Sequence, residues 1–456
     1  MLQTLRNAWK VEEIRRKILF TLLIVLLYRI GNAVPVPYVN VAALQYYFAA
    51  LQNTVLGLYN VMFGGAFSTA TIFALSIQPY INASIIIQLL CIAIPALERM
   101  SKDEGEEGKK KIASITRYTT VGIGLLMGFA YYTLMRNNGL LDADAQNSVW
   151  AAVVIVLTFT SGSALIMWLG EQITEFGIGN GISIILFSSI VSRLPRSIIT
   201  SIGNIAAGNL KWWTAVLVFL GALALIVLIV FVNDAERRIP VQYAKRVVGR
   251  KMYGGQSTYI PMKANANGVL PLIFAMTLMQ FPEMILQFFR QDSGFAKFWY
   301  RWMVSSPRVW VDGTGYVATS VFKTPGVEYY GAQYAPYVYY IIYFVLIIAF
   351  GYFYTSITFN PVEMSKNLQQ NGGFIPGIRP GKPTGDYLGK ISNRLTLFGS
   401  LFLAVIAIVP TIILNIMGVT NMFGATSVLI MVSVALETAD ALDNQMLMRH
   451  YKGFLN

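Results

Sequence analysis

The chain has one cysteine and one histidine in 456 residues, and both absences exclude chemistry. Cys91 lies inside an apolar run, so there is no disulfide framework and no thiolate metal site. His450 stands near the C-terminus, which removes most histidine-dependent catalysis and metal binding from consideration. Charge is also scarce: 12% of residues are Asp, Glu, Lys or Arg, about half the usual share of a soluble domain. Between Arg29 and Glu98 charge is missing altogether, for 68 residues from Ile30 to Leu97. No paired aspartate, Ser with His, or HExxH pattern stands at membrane depth, which argues against an intramembrane protease. GIGNG (Gly177 to Gly181) follows an apolar span where a dinucleotide fingerprint requires a soluble strand. GIRPGKPT (Gly377 to Thr384) has the wrong spacing for a phosphate loop.

What is present is apolar surface, 55% of residues, with a positive mean hydropathy. A membrane-crossing helix needs about 20 apolar residues, and ten stretches of that kind predict a polytopic membrane protein. They run near residues 18–36, 71–97, 118–135, 149–169, 181–199, 213–232, 268–289, 336–357, 395–414 and 423–442. The fifth is the least regular, because Arg193, Pro195 and Arg196 cut into its end. The N-terminus has basic residues and an apolar run from Ile18 to Tyr28, but Arg29 follows and no small-x-small cleavage pattern appears. Leu2, Leu5, Trp9 and Ile14, interleaved with Arg6, Lys10 and Arg15, predict an amphipathic surface helix over residues 1–17.

Basic residues set the expected orientation. With the N-terminus inside, the inner segments hold 25 Lys and Arg and the outer ones nine, placing both termini in the cytoplasm. Ten spans divide into five and five, residues 18–200 and 201–443, with basic loops at 233–267 and 358–394 and a tail at 444–456. Because five is odd, halves sharing one fold have opposite orientations, which puts a functional site near the midplane beside broken helices. The expected break is in the second span. The uncharged run is too long for one span, and Val55 to Thr71 is too short to cross. That piece is either a re-entrant segment beside a cavity, which such backbone requires, or an external loop with a few buried side chains. The long loop from Arg290 to Ala335 carries Trp299, Trp302, Trp310, Tyr329, Tyr330 and Tyr334, residues suited to a membrane interface.

Coupled carriers need ionisable groups at depth. Here Arg29 and Glu283 lie toward span ends, and Glu437, Asp440 and Asp443 sit at the inner end of the last span. In the second span Ile77, Ile81, Ile85 and Gln88 share one helical face while Gln78 and Asn82 point elsewhere. An aliphatic stripe of this kind is either helix packing or part of a constriction that gates by excluding water.

Five long motifs resolve the choice by resemblance. IFALSIQPYINASIIIQLL (Ile72 to Leu90), KDEGEEGKKKIASITRYTT (Lys102 to Thr120), MWLGEQITEFGIGNGISII (Met167 to Ile185), RRIPVQYAKRVVGRKMYGGQSTYIP (Arg237 to Pro261) and FNPVEMSKNLQQNGGFIPGIRPGKPT (Phe359 to Thr384) closely resemble the SecY family, the channel subunits of the bacterial protein translocase. The resemblance implies an all-α polytopic membrane fold, with ten transmembrane helices in two inverted pseudo-symmetric halves and a re-entrant plug helix. It implies a channel for unfolded secretory proteins, with lateral release of hydrophobic segments into lipid and no catalytic site or cofactor. It implies a waist of Ile77, Ile81, Ile182, Leu186, Ile273 and Ile430, a plug at about residues 55–68 around Asn60, Gly64 and Gly65, and a lateral gate near Gln88 and Thr277. Arg237, Arg238, Arg250, Lys251 and Arg379 match positions that dock the SecA motor or the ribosome; setting topology alone is the competing reading of that charge. SecE-like and SecG-like membrane subunits, preprotein substrates and lipids are the other implied partners, in a bacterial plasma membrane. Three departures stand out: Ser76 where the family usually has Gly, Gln78 for an apolar residue, and a Lys run (Lys109 to Lys111) for a mostly Arg one. An inverted-repeat carrier of a small solute is the alternative function.

Overall fold

Away from water, a backbone amide finds no solvent partner, so an apolar segment satisfies its own hydrogen bonds by becoming helical. The computed structural model describes residues 8–50, 64–102, 105–207, 211–243, 246–248, 251–253, 257–288, 294–303, 308–311, 315–318, 335–416 and 425–452, and it shows that outcome along the chain. The first helices are α1 (Glu12–Gly31), α2 (Val41–Ala50), α3 (Gln78–Ala93), α4 (Pro95–Lys102), α5 (Gly105–Asn137), α6 (Val149–Phe176), α7 (Gly181–Val191) and α8 (Leu194–Ala206). The later ones are α9 (Trp212–Asp234), α10 (Leu270–Phe288), α11 (Gly294–Trp302), α12 (Ala335–Thr358), α13 (Pro361–Gln370), α14 (Lys382–Ile416) and α15 (Ala425–Lys452). Each of the ten predicted spans thus contains a helix. Among the described residues, α5, α6, α9, the α12 region and α14 are long and apolar enough to cross a membrane alone. Helix α15 runs on to Lys452, into the stretch expected to be a tail.

Packing repeats at an offset of five spans. In the first set α3 packs on α5, α5 on α6 and α6 on α7; in the second α10 packs on α12, α12 on α14 and α14 on α15. The two sets meet where α5 touches α10 and where α7 touches α15. Equivalent helices five crossings apart run in opposite directions through the membrane, which is the inverted pair that the even division predicted.

Two spans are broken, and proline marks each break. Helix α3 has only 16 residues, about 24 Å of rise, less than the roughly 30 Å hydrocarbon core. Pro79 stands at its first turn, where a missing N–H costs nothing. The start of the predicted second span, residues 71–77, and the described end of the short piece before it, residues 64–70, are turns apart from the Thr71 bridge to Pro35. Helix α7 ends at Val191, and α8 starts anew with Pro195 in its first turn.

The irregular 64–77 segment is enclosed by protein, as buried non-helical backbone requires. Val36 N–H donates to the Ala70 carbonyl at 2.9 Å and Ile72 N–H to the Val34 carbonyl at 3.0 Å. The Tyr131 hydroxyl donates to the Phe67 carbonyl, with the two rings stacked at 4.3 Å. On the other side α6 lies so close that a Cβ on Gly162 would stand 2.0 Å from the Ile72 carbonyl oxygen. Gly162→Ala is therefore expected to push the segment off α6, at a cost of about 1–3 kcal/mol for overpacking. A lower thermal midpoint of the detergent-purified protein checks this, and an unchanged midpoint rejects the close approach.

Small sheets occupy the loops. β1 (Glu236–Tyr243), β2 (Arg246–Val248), β3 (Lys251–Tyr253) and β4 (Ser257–Lys263) lie in the first basic loop, β5 (Arg308–Val311) and β6 (Gly315–Ala318) in the aromatic loop, and β7 (Gly373–Phe374) in the second basic loop. The order β4-β1-β7 joins the two basic loops in one antiparallel sheet, Arg238 facing Pro261 and Gln242 facing Phe374. Ile239, Val241, Leu368, Ile375 and Leu388 form an apolar cluster in this body, separate from the main core.

Candidate functional site

Ile77, Ile81, Leu186, Ile273 and Ile430 are buried and Ile182 is half-buried, and all six are part of the main apolar core, which runs through both sets of spans. They arrive from α3, α7, α10 and α15, two in each set of spans. Ile77 is not inside α3. It is the residue just before the helix, and its carbonyl accepts from Ile81 N–H at 3.1 Å, which keeps the two side chains one turn apart.

Local chemistry fixes the members on α7. Asn180 caps that helix, its Oδ1 accepting from Ile182 N–H at 3.0 Å and from Ser183 N–H at 3.4 Å. A Cβ on Gly181 would stand 1.9 Å from the Gly170 carbonyl oxygen, so α7 starts in direct backbone contact with α6. The GIGNG stretch is thus a turn, a cap and a close approach that together aim Ile182.

Polar side chains at the start of α3 pair with each other and reach α5. Gln78 Nε2 donates to Asn82 Oδ1 at 3.2 Å, and Asn82 Nδ2 lies 4.0 Å from Met127 Sδ on α5. The pair explains how Gln78 is tolerated: its amide has a neighbour one turn along.

Of the plug residues, Asn60 lies outside the described residues. Gly64 and Gly65 adopt φ of 69° and 90°, left-handed values that glycine reaches without strain. A Cβ on Gly64 would lie 3.1 Å from the Ser189 carbonyl and 3.3 Å from Arg29 Nη1, so the end of this segment rests on α7 and α1. Gln88 Nε2 donates to Ser84 Oγ at 3.3 Å, while its Oε1 is buried with no partner among the described residues. Thr277 is buried on α10. The contact between the two sets on this side is α5 against α10.

Three of the basic residues expected at a docking surface share one body. Arg237 and Arg238 are exposed on β1, and Arg379 is exposed on the turn after β7. Arg238 stacks over the Tyr259 ring at 4.9 Å and bonds Glu236 at 2.6 Å, and that hydrogen bond raises its pKa further, so it stays charged. The Arg379 turn is fixed by Gly377 and Gly381, at φ of 83° and 93°, and by Thr384 Oγ1 donating to the Arg379 carbonyl at 2.9 Å. Lys251 pairs with Val248 in the β2–β3 hairpin, and Arg250 lies outside the described residues.

Sequence reasoning missed the polar fasteners of the second set. Asn267 Nδ2 bonds Thr355 Oγ1 at 2.7 Å, which meets Thr396 Oγ1 at 2.9 Å, and Asn265 bonds Asn233 at 3.0 Å. Isolated amides and hydroxyls in apolar runs carry no spacing signal; their partners are far along the chain.

Comparisons with known proteins agree with this geometry. The SecY family profile matches residues 71–439. The protein translocase subunit SecY of Mycobacterium tuberculosis is 44% identical over 471 residues, covering 100% of both chains. That of Streptomyces coelicolor is 41% identical over 468 residues, again covering 100% of both. Among solved structures, a protein-conducting channel superposes with a TM-score of 0.65 at 18% identity, covering 95% of this chain and 92% of that one. Sec61 in a canine ribosome-channel complex superposes with a TM-score of 0.60 at 16% identity, with the same coverage. These findings favour a channel over a small-solute carrier, and with the family profile and full-length relatives in agreement, the chain belongs to the SecY family of protein-translocase channel subunits.

Proposed function

We propose that these six aliphatic residues form the resting seal of this channel, and that unfolded secretory chains thread through it one segment at a time. One observation supports the reading: Ile77, Ile81, Ile182, Leu186, Ile273 and Ile430 come from or just before α3, α7, α10 and α15, in both repeats, and all belong to the main apolar core that the two repeats share. An aliphatic constriction excludes water and therefore ions, yet yields to an extended chain. The 55–68 segment acts as a plug, anchored at Gly64 and Gly65. The seam where α5 meets α10, near Gln88 and Thr277, acts as the lateral gate. Once it opens, a passing segment samples lipid. An apolar residue at mid-bilayer gains about 0.3 to 0.6 kcal/mol and a charged one costs about 2.5 to 3.5, so summed hydrophobicity decides between exit and transit.

The seal itself performs no chemistry, and energy comes from partners on the face with the basic loops. Neighbouring structures describe Sec61 in a ribosome-channel complex and yeast Ssh1 bound to the 80S ribosome. In this chain the joined sheet presents Arg237, Arg238 and Arg379, with Arg250 and Lys251 on the same loops, to a SecA-like motor or to ribosomal phosphates, the latter contact weakening with salt. That face is cytoplasmic by its basic excess, in a bacterial plasma membrane, with SecE-like and SecG-like subunits completing the complex. The test is photo-crosslinking: probes at Ile77, Ile81 and Ile430 are expected to capture a stalled secretory chain. Capture at none of the three, with capture at exposed control positions, rejects the seal.

A further inference from the structure

Three hydroxyls lie beside the proposed seal with no part in it. Tyr28 on α1, Ser76 just before α3 and Ser189 on α7 are each 0% exposed. Tyr28 Oη lies 2.6 Å from Ser189 Oγ and 3.5 Å from Ser76 Oγ, the second at the outer limit of hydrogen-bond length. The partners set the donor direction. Ser189 Oγ donates to the Ile185 carbonyl at 3.0 Å, which commits its only proton. Tyr28 therefore donates to Ser189, and its lone pairs are left to accept from Ser76.

Both ends of this relay adjoin proposed seal residues along the chain. Ser76 directly precedes Ile77, while Ile185 directly precedes Leu186. Ser76 also has φ of 49°, a left-handed conformation disfavoured for any residue with a Cβ, at the position where the family resemblance expects glycine. Its hydroxyl is the feature that a glycine there lacks. Tyr28 is itself held in place by its ring, stacked on Phe73 at 5.8 Å and 10°. The next residue extends the same contact: Arg29 Nη1 donates to Ser192 Oγ at 2.9 Å, Ser192 Oγ donates to the Ser189 carbonyl at 2.7 Å, and Gly64 rests against both.

We propose that Tyr28 is a positioning residue for the seal: its hydroxyl ties Ser76 to Ser189, holding Ile77 and Leu186 in register and stabilising the left-handed turn that serine alone disfavours. The inference rests on the seal assignment above. Tyr28→Phe removes one oxygen and keeps the stacked ring. It is expected to raise resting ion conductance several-fold in planar bilayers while the thermal midpoint stays at the parent value. Adding Ser76→Gly is expected to return the leak to parent level, because glycine adopts the turn unaided. A merely structural tyrosine predicts a lower midpoint and no rescue. Ile81→Asn is measured in parallel. A leak in Ile81→Asn without one in Tyr28→Phe overturns the positioning role alone, and a Tyr28→Phe leak that Ser76→Gly does not relieve overturns the link through Ser76. No leak in either single variant removes the seal assignment and this inference with it.

Discussion

Replacing Ile81 and Ile273 together with Asn is expected to turn the resting protein into an open ion pathway. Ile81 comes from α3 in the first set of spans and Ile273 from α10 in the second, and both are buried in the shared cluster. In the proposed seal the two substitutions introduce amides from both halves. A carboxamide buried without partners costs about 1–3 kcal/mol on mutational scales, and water is the partner that relieves that cost. Each 1.4 kcal/mol moved from the dry to the wet state is about tenfold in its population, so conductance without substrate is expected to rise at least about tenfold. Single-channel recording in planar bilayers measures it. Ile81→Leu and Ile273→Leu keep the surface apolar and are expected to stay silent. Parent-level conductance in the double Asn variant sinks the seal assignment, provided that the protein is folded.

What was legible in the sequence follows from which interactions are local. The break in the second span was placed by the inverted five-and-five division of the spans, and span positions were readable because hydropathy acts within a few residues. The Ile77–Ile81 relation was readable for the same reason, one turn along one element. Whether the Ile stripe seals or merely packs was not, since the two look alike until their opposite faces are known. The joined sheet was invisible for a different reason. β1 and β7 lie more than a hundred residues apart and β7 has only 2 residues, too short to leave a period. The buried relay of Tyr28, Ser76 and Ser189 has sequence separations of 48 and 161, and serines in apolar runs also bond their own helix backbone, so nothing in the string marks these as a group.

The union of the two basic loops changes what a charge there can do. Positive residues on separate, independent loops set topology equally well, whichever way their side chains point. Arg237 and Arg379 are instead carried by neighbouring parts of one sheet over an apolar cluster that includes Val241, Ile375 and Leu388. A fixed spacing between cations is wasted on topology and useful for recognising a partner of fixed shape.

Arg379→Glu discriminates between those roles with the larger expected effect. The side chain is exposed, and the turn beneath it is held by its backbone carbonyl, by Thr384 and by two left-handed glycines. Reversing the charge thus leaves the fold intact, and the variant is expected to accumulate in membranes at the parent level with unchanged orientation. Secretion driven by a SecA-like motor is expected to fall at least about tenfold, because a charge-assisted contact becomes a repulsion while desolvation of the carboxylate remains uncompensated. Arg379→Lys keeps the charge but loses the planar fork, so it is expected to fall between parent and Glu. Measuring export of one secretory protein in membrane vesicles, alongside insertion of a membrane protein made on bound ribosomes, separates the two partners. Loss of both assigns the turn to a surface the motor and ribosome share, and loss of export alone assigns it to the motor. Export at the parent rate with Glu at this position rejects docking through Arg379 and leaves its charge to topology.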